Sequence, residues 1–214
     1  MKTIHIAFLA AIVYSFGLCA TYAYGVYNMY ITTKNIILPS QLISDKNEGP
    51  LYLCFALVAS LATLYCSFRF YKYCSARINP KTQPEVQTFL YAGGALAFLV
   101  EVLGIGMIIC DLRSFWTHVL FHSFYLILSP IRYLLNDYEI SLVLKQRVNK
   151  SVLIFDLCLT VLNILYCAAF IIKRKGMSSM TATIISIIGY ICLIVNNSRI
   201  VYQTSLIGGK SKRN

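Results

Sequence analysis

The sequence predicts an all-α protein: an integral-membrane bundle of six helices with both termini cytosolic. Two observations carry the helices. The 214 residues are 58% hydrophobic and 13% charged, with a mean hydropathy of +0.67, so the chain has more apolar surface than a soluble domain of this length can hide. Apolar runs recur at 4–26, 51–73, 86–110, 115–135, 151–172 and 180–202. Each has about the 20 residues a helix needs to cross a hydrocarbon core of roughly 30 Å. The third observation sets orientation. With a cytosolic N-terminus, 13 of the 19 Lys and Arg fall on the cytosolic side, although the run Lys173, Arg174, Lys175 opposes the trend.

The first run follows Lys2 and contains Ala20 and Ala23, as a signal peptide would. Its apolar length of roughly 22 residues exceeds the roughly 7–15 of a signal core, so a retained span is expected. The lumenal loop 27–50 has helix breakers at Pro39, Gly49 and Pro50 and turn formers at Ser40, Ser44, Asp45 and Asn47, enough for a small cap over the bundle. The next joint, "CSARINPKTQPE", is a proline-marked turn. In the third run Gly93, Gly94, Ala95, Ala97, Gly104 and Gly106 are small enough to let a neighbouring helix approach closely. After the fourth run, "NDYEISLVLKQRVNK" alternates apolar and polar residues at near-helical spacing, which predicts a short helix lying on the membrane surface. It holds a sequon at Asn149, where glycosylation would contradict the cytosolic assignment. The final "KSKRN" places Lys210 and Lys212 as in a dilysine retrieval signal, which returns membrane proteins to the endoplasmic reticulum. A basic tail obeying the charge bias is the plainer reading.

Function classes narrow accordingly. A net charge of +11 spread over loops suits an anionic membrane surface, and no continuous basic face with interleaved aromatics points to nucleic acid. Most of the eight cysteines sit inside spans and none in the first long loop, so no disulfide framework is implied. Cys74, beside Arg69, Lys72 and Arg77, is a palmitoylation candidate, with an unmodified thiol the simpler expectation. No Ser-His-Asp order, phosphate loop or Cys-x-x-Cys motif is present, so neither a catalytic centre nor a cofactor is assigned.

Ionisable groups within spans are expensive in lipid and therefore mark candidate sites. Glu101 lies about 15 Å from the far end of the third run, and His118 and His122 lie about one and two turns into the fourth. His122 is the closer in depth to Glu101, and a hydrogen bond between them is expected. Two histidines four residues apart share a helix face, as zinc ligands do, but a metal needs a third ligand. His5 stands at the wrong end, so no metal is assigned, and a metal-dependent lipid hydrolase is kept as an alternative. A second polar cluster, Arg132, Asp156, Asn196 and Arg199, gathers in the cytosolic half. Either an Arg–Asp pair locks helices there, or the arginines snorkel to the head groups, the more ordinary behaviour.

The stretch "VEVLGIGMIICDLRSFWTHVLFHSF", the "LPSQLIS" of the first loop and the loop "KQR" together resemble the DRAM/Sfk family of multipass membrane proteins. The likeness is nearest the post-GPI-attachment-to-proteins branch, which takes part in remodelling the lipid of GPI anchors. It maps that branch's third-helix Glu and fourth-helix His onto Glu101 and His118, and its sixth-helix Tyr and Asn onto Tyr190 and Asn196. Gly189 stands where the branch has Glu, and the first loop lacks a Cys. The resemblance implies an accessory or lipid-binding factor of endoplasmic reticulum or Golgi membranes. Its partners would be a membrane lipid, GPI lipid or phospholipid, and an acyltransferase. A DRAM-type regulatory protein of lysosomes and autophagy is the alternative.

Overall fold

The computed structural model describes residues 2–28, 49–79, 83–109, 115–145, 149–173 and 179–208. These form six helices: α1 Thr3–Tyr27, α2 Gly49–Ser75, α3 Pro84–Ile109, α4 Phe115–Leu144, α5 Lys150–Lys173 and α6 Ser179–Gly208. The expected cap in the first loop and the tail lysines Lys210 and Lys212 lie outside the described residues.

Local chemistry sets several boundaries. Pro84 opens α3, where a missing N–H costs nothing, and Glu85 in its first turn faces the positive end of the helix dipole. Asn149 caps α5 by accepting the Ser151 N–H on Oδ1 at 3.0 Å, so the sequon residue serves as a helix start.

Each helix packs on its chain neighbours, and α1 also packs on α6, which closes the ring; α6 reaches inward to α4 and α2. Neighbours run antiparallel. Along α3 and α4, Gly93 meets Glu139, Gly104 meets Tyr125 and Gly106 meets Phe121. A Cβ on Gly104 or Gly106 would come within 2.9 Å or 2.7 Å of those rings, so the glycines set how closely the two helices approach.

The distribution of polarity is inverted relative to a water-soluble protein. Phe8, Ile12 and Phe16 of α1, Val58 and Leu61 of α2, Phe98 of α3 and Ile154 and Val161 of α5 are exposed. Glu101, Arg132, Asp137, Glu139, Asp156, Asn163, Asn196 and Arg199 are buried. Such a surface suits a hydrocarbon solvent, in which polar groups turn inward to satisfy each other.

Five helices, all but α4, are long and apolar enough to cross a membrane. The exception corrects the fourth expected run in two ways. Its polar residues lower its hydropathy, although Leu120, Phe124 and Ile131 still make an outward apolar stripe. It also continues to Leu144, so the expected surface helix over 136–150 does not form. Asn136, Asp137, Glu139 and Ile140 are buried, and the extra turns pack inside the bundle.

Candidate functional site within the bundle

Most of the interior chemistry is organised by α4. Pro130 lies within it and cannot donate to the carbonyl four residues earlier, that of Leu126. The vacated carbonyl is taken by α5: Asn163 Nδ2 donates to Leu126 O at 2.6 Å, with Asn163 fully buried. In a lipid-facing bundle a freed backbone acceptor needs such a neighbour. The pair therefore joins α4 and α5 in one register.

On the side of the chain termini lie two ionic clusters, each built on one arginine. Arg132 Nη1 donates to Glu101 Oε1 at 2.9 Å, and Nη2 donates to the Tyr133 hydroxyl at 2.6 Å. Arg199 of α6 holds Asp156 of α5 through both carboxylate oxygens, at 2.8 and 2.6 Å, and Asp137 of α4 at 2.8 Å. The fork geometry of guanidinium suits this two-helix clamp in a way an ammonium does not. Tyr133 lies between the two systems, its ring 4.4 Å from the Arg132 guanidinium carbon and 5.5 Å from that of Arg199. Next to them, Tyr71 donates to Asn136 Oδ1 at 2.5 Å. The Glu139 carboxylate sits against Gly93, where a Cβ would overlap it.

These contacts correct three expectations. Glu101 takes Arg132, not His122, as its partner. The arginines do not snorkel: Arg132 is 2% exposed and Arg199 6%. Arg132, expected near Asp156, belongs instead to Glu101, and Arg199 alone forms the Arg–Asp lock. Depth counted from helix ends misplaced Glu101. The glycine contacts on Tyr125 and Phe121 put it beyond His122 along α4, within reach of Arg132.

Toward the opposite end the interior is aromatic. His118 and His122 are buried with ring centroids 5.8 Å apart, and His122 lies 5.6 Å from Tyr166 of α5. Tyr166 in turn fills the space over Gly189, where a Cβ would come within 2.6 Å of its ring. A Glu at that position, as in the resembling branch, would collide with Tyr166. Tyr190 packs edge-on to Tyr22 of α1 at 6.3 Å. Among the described residues no group of three His, Cys, Asp or Glu is placed to hold a metal ion.

Between the two zones, Asn197 donates to the Tyr125 hydroxyl at 2.9 Å, and Asn196 is fully buried. Both amide atoms of Asn196, both of Gln203 and both oxygens of Glu139 are without a hydrogen-bond partner among the described residues. Polar capacity therefore remains inside the bundle after the ion pairs are made. Cys74 is fully buried, so its thiol is closed to an acyl donor, contrary to the palmitoylation candidate; among the described residues Cys19, Cys54 and Cys158 are the exposed thiols.

Sequence reasoning missed Tyr133, Asn136, Asp137, Glu139 and Asn163. The sequence places Asp137 and Glu139 on a surface helix, because the apolar run ends before them. Asn163 was legible: Pro130 inside an apolar run predicts a freed carbonyl, and a lone Asn in a neighbouring run is the natural donor.

Known proteins do not place the chain. No family model, no curated protein and no solved structure matches it.

Proposed function

We propose that this chain is a six-span membrane protein of the endoplasmic reticulum or Golgi, with both termini cytosolic, that takes part in remodelling the lipid of GPI anchors. Its role is that of a lipid-binding or accessory factor alongside an acyltransferase. One observation carries the reading: the residues on which the resemblance rests turn inward from three helices. Glu101 of α3, His118 of α4 and Asn196 of α6 are all buried, and Tyr190 packs on the same core.

The orientation rests on charge. With the buried Arg132 and Arg199 set aside, 11 basic residues still fall on the side of the termini against 6 on the other. The sixth span is α4, whose polar residues are internal.

Mass spectrometry of GPI-anchor lipids from cells lacking the chain tests the reading. Altered acyl chains are expected, restored by the wild-type chain and not by Glu101→Gln or His118→Ala at equal protein level. Unchanged anchor lipids, with the protein residing in lysosomes, would favour the DRAM-type regulatory role. Stoichiometric zinc lost on His122→Ala would point to the hydrolase.

A further inference from the structure

Charge inside the bundle is unequal. Among the described residues four carboxylates, Glu101, Asp137, Glu139 and Asp156, are buried with two guanidiniums, Arg132 and Arg199. Both arginines are already engaged, Arg132 with Glu101 and Arg199 with Asp137 and Asp156. Glu139 is 0% exposed, and neither of its oxygens has a hydrogen-bond partner among the described residues. An ionised carboxylate removed from water without a counter-charge is so unfavourable that the group takes up a proton or a cation instead.

The surroundings choose between the two. Glu139 Oε1 and the Tyr71 hydroxyl of α2 both crowd the point where a Cβ on Gly93 of α3 would stand, each under 3.0 Å from it. Tyr71 donates its own hydrogen to Asn136 Oδ1 at 2.5 Å, which leaves the phenol oxygen free to accept. A protonated Glu139 supplies the matching O–H, and a small side-chain rotation completes a chain from Glu139 through Tyr71 to Asn136. A hard metal cation collects about six oxygen ligands. Tyr71 packs here against Phe70, Cys74, Leu90 and Ile140, which offer carbon and one thiol.

No other charge on the surrounding helices is free to neutralise Glu139 among the described residues. On α4 itself Arg132 and Asp137 are ion-paired, and from α5 Asp156 is held by Arg199. From α2 come Tyr71, the Cys74 thiol and, at its end, exposed Arg77, whose guanidinium lies 3.6 Å over the Tyr73 ring. The facing residues of α3 are Gly93 and Leu90, with Glu85 exposed at the helix start. On α6 Ile200 shares a cluster with Tyr133, and Ile207 shares one with Ile140, so the uncharged Gln203 between them stands at the height of Asn136.

We propose that Glu139, Tyr71 and Asn136 form a proton-binding site that fills from the side of the termini, where about 8 Å of helical rise separates Glu139 from the end of α4 at Leu144. The proton adds to one carboxylate oxygen, and the new O–H donates to Tyr71, whose hydroxyl goes on donating to Asn136. When the proton leaves, Tyr71 turns its hydrogen to the carboxylate and releases Asn136. The link between α2 and α4 thus depends on whether the proton is bound. The site is separate from Glu101 and His118 and requires no role in lipid remodelling.

Infrared spectroscopy of the full chain in phosphatidylcholine nanodiscs tests the site. At neutral pH a carboxylic-acid C=O band that shifts in heavy water is expected. Glu139→Gln should remove the share of one carboxyl from it, whereas Glu85→Gln, on the exposed start of α3, should leave it whole. Tyr71→Phe takes away the acceptor and keeps the acid, so the band should persist and move to higher frequency. A spectrum unchanged by Glu139→Gln would overturn the proposal, as would a band that Tyr71→Phe leaves in place. So would loss of the band when sodium replaces choline at constant pH, which would assign the site to a metal cation. If Glu139→Gln does not fold, Tyr71→Phe and the sodium exchange decide.

Discussion

The two halves of the interior are held by different physics. Near the termini, Arg132 and Arg199 grip carboxylates from α3, α4 and α5 at 2.6 to 2.9 Å. Toward the other end, Tyr166 over Gly189, His122 beside Tyr166 and Tyr190 against Tyr22 are fitted by shape. The first half is directional and unforgiving, because a charge left alone in a low-dielectric interior has no solvent to turn to. The second is additive, each ring contributing modest dispersion. Helix partners are thus specified at one end by charge and at the other by volume, with the Asn163 bond to Leu126 at the junction.

The largest expected effect breaks the charged half. Arg199→Leu leaves Asp137 and Asp156 buried without their cation and is expected to cost about 3–5 kcal/mol. Thermal unfolding in detergent should show a lowered midpoint or an aggregated product, and a variant with wild-type stability would mean the clamp is idle.

At the junction, Asn163→Leu strands the Leu126 carbonyl, for an expected loss of about 1–3 kcal/mol. Pro130→Ala supplies the missing N–H from within α4, so the double variant should recover most of that loss. If the two changes simply added, the carbonyl would not be the link.

Smallest is Gly189→Ala in the shape-fitted half. One methyl pushes against the Tyr166 ring, with an expected cost of about 1–2 kcal/mol, at the lower end of overpacking penalties. Tyr166→Phe should not relieve it, because the ring itself blocks the Cβ, whereas Tyr166→Leu should. Relief by Phe would locate the strain at the hydroxyl, which also lies 2.7 Å from that Cβ position.

Much of this was legible in the chain. Apolar runs alone place all six helices to within a few residues at most ends, because a helix satisfies its own backbone whatever surrounds it. The glycines of α3 announce close approach to a neighbour. Glu101, His118, Asn196 and Arg199 stand out as polar residues in apolar company, and all are buried.

Which of them meet was not legible. Periodicity fixes the face a residue shares within one helix, not the axial offset between two helices. That offset is set by Gly104 under Tyr125 and Gly106 under Phe121, a fit of volumes that carries Glu101 past the histidines to Arg132. The end of α4 was likewise decided by its neighbours. Asn136, Asp137 and Glu139 look like residues of a surface helix until Tyr71, Arg199 and the space at Gly93 receive them. Composition and periodicity thus determined the helices and their solvent, because those depend on each segment alone. The tertiary structure decided the partners, because a charge in lipid is settled only by the opposite charge that another helix brings to the same depth.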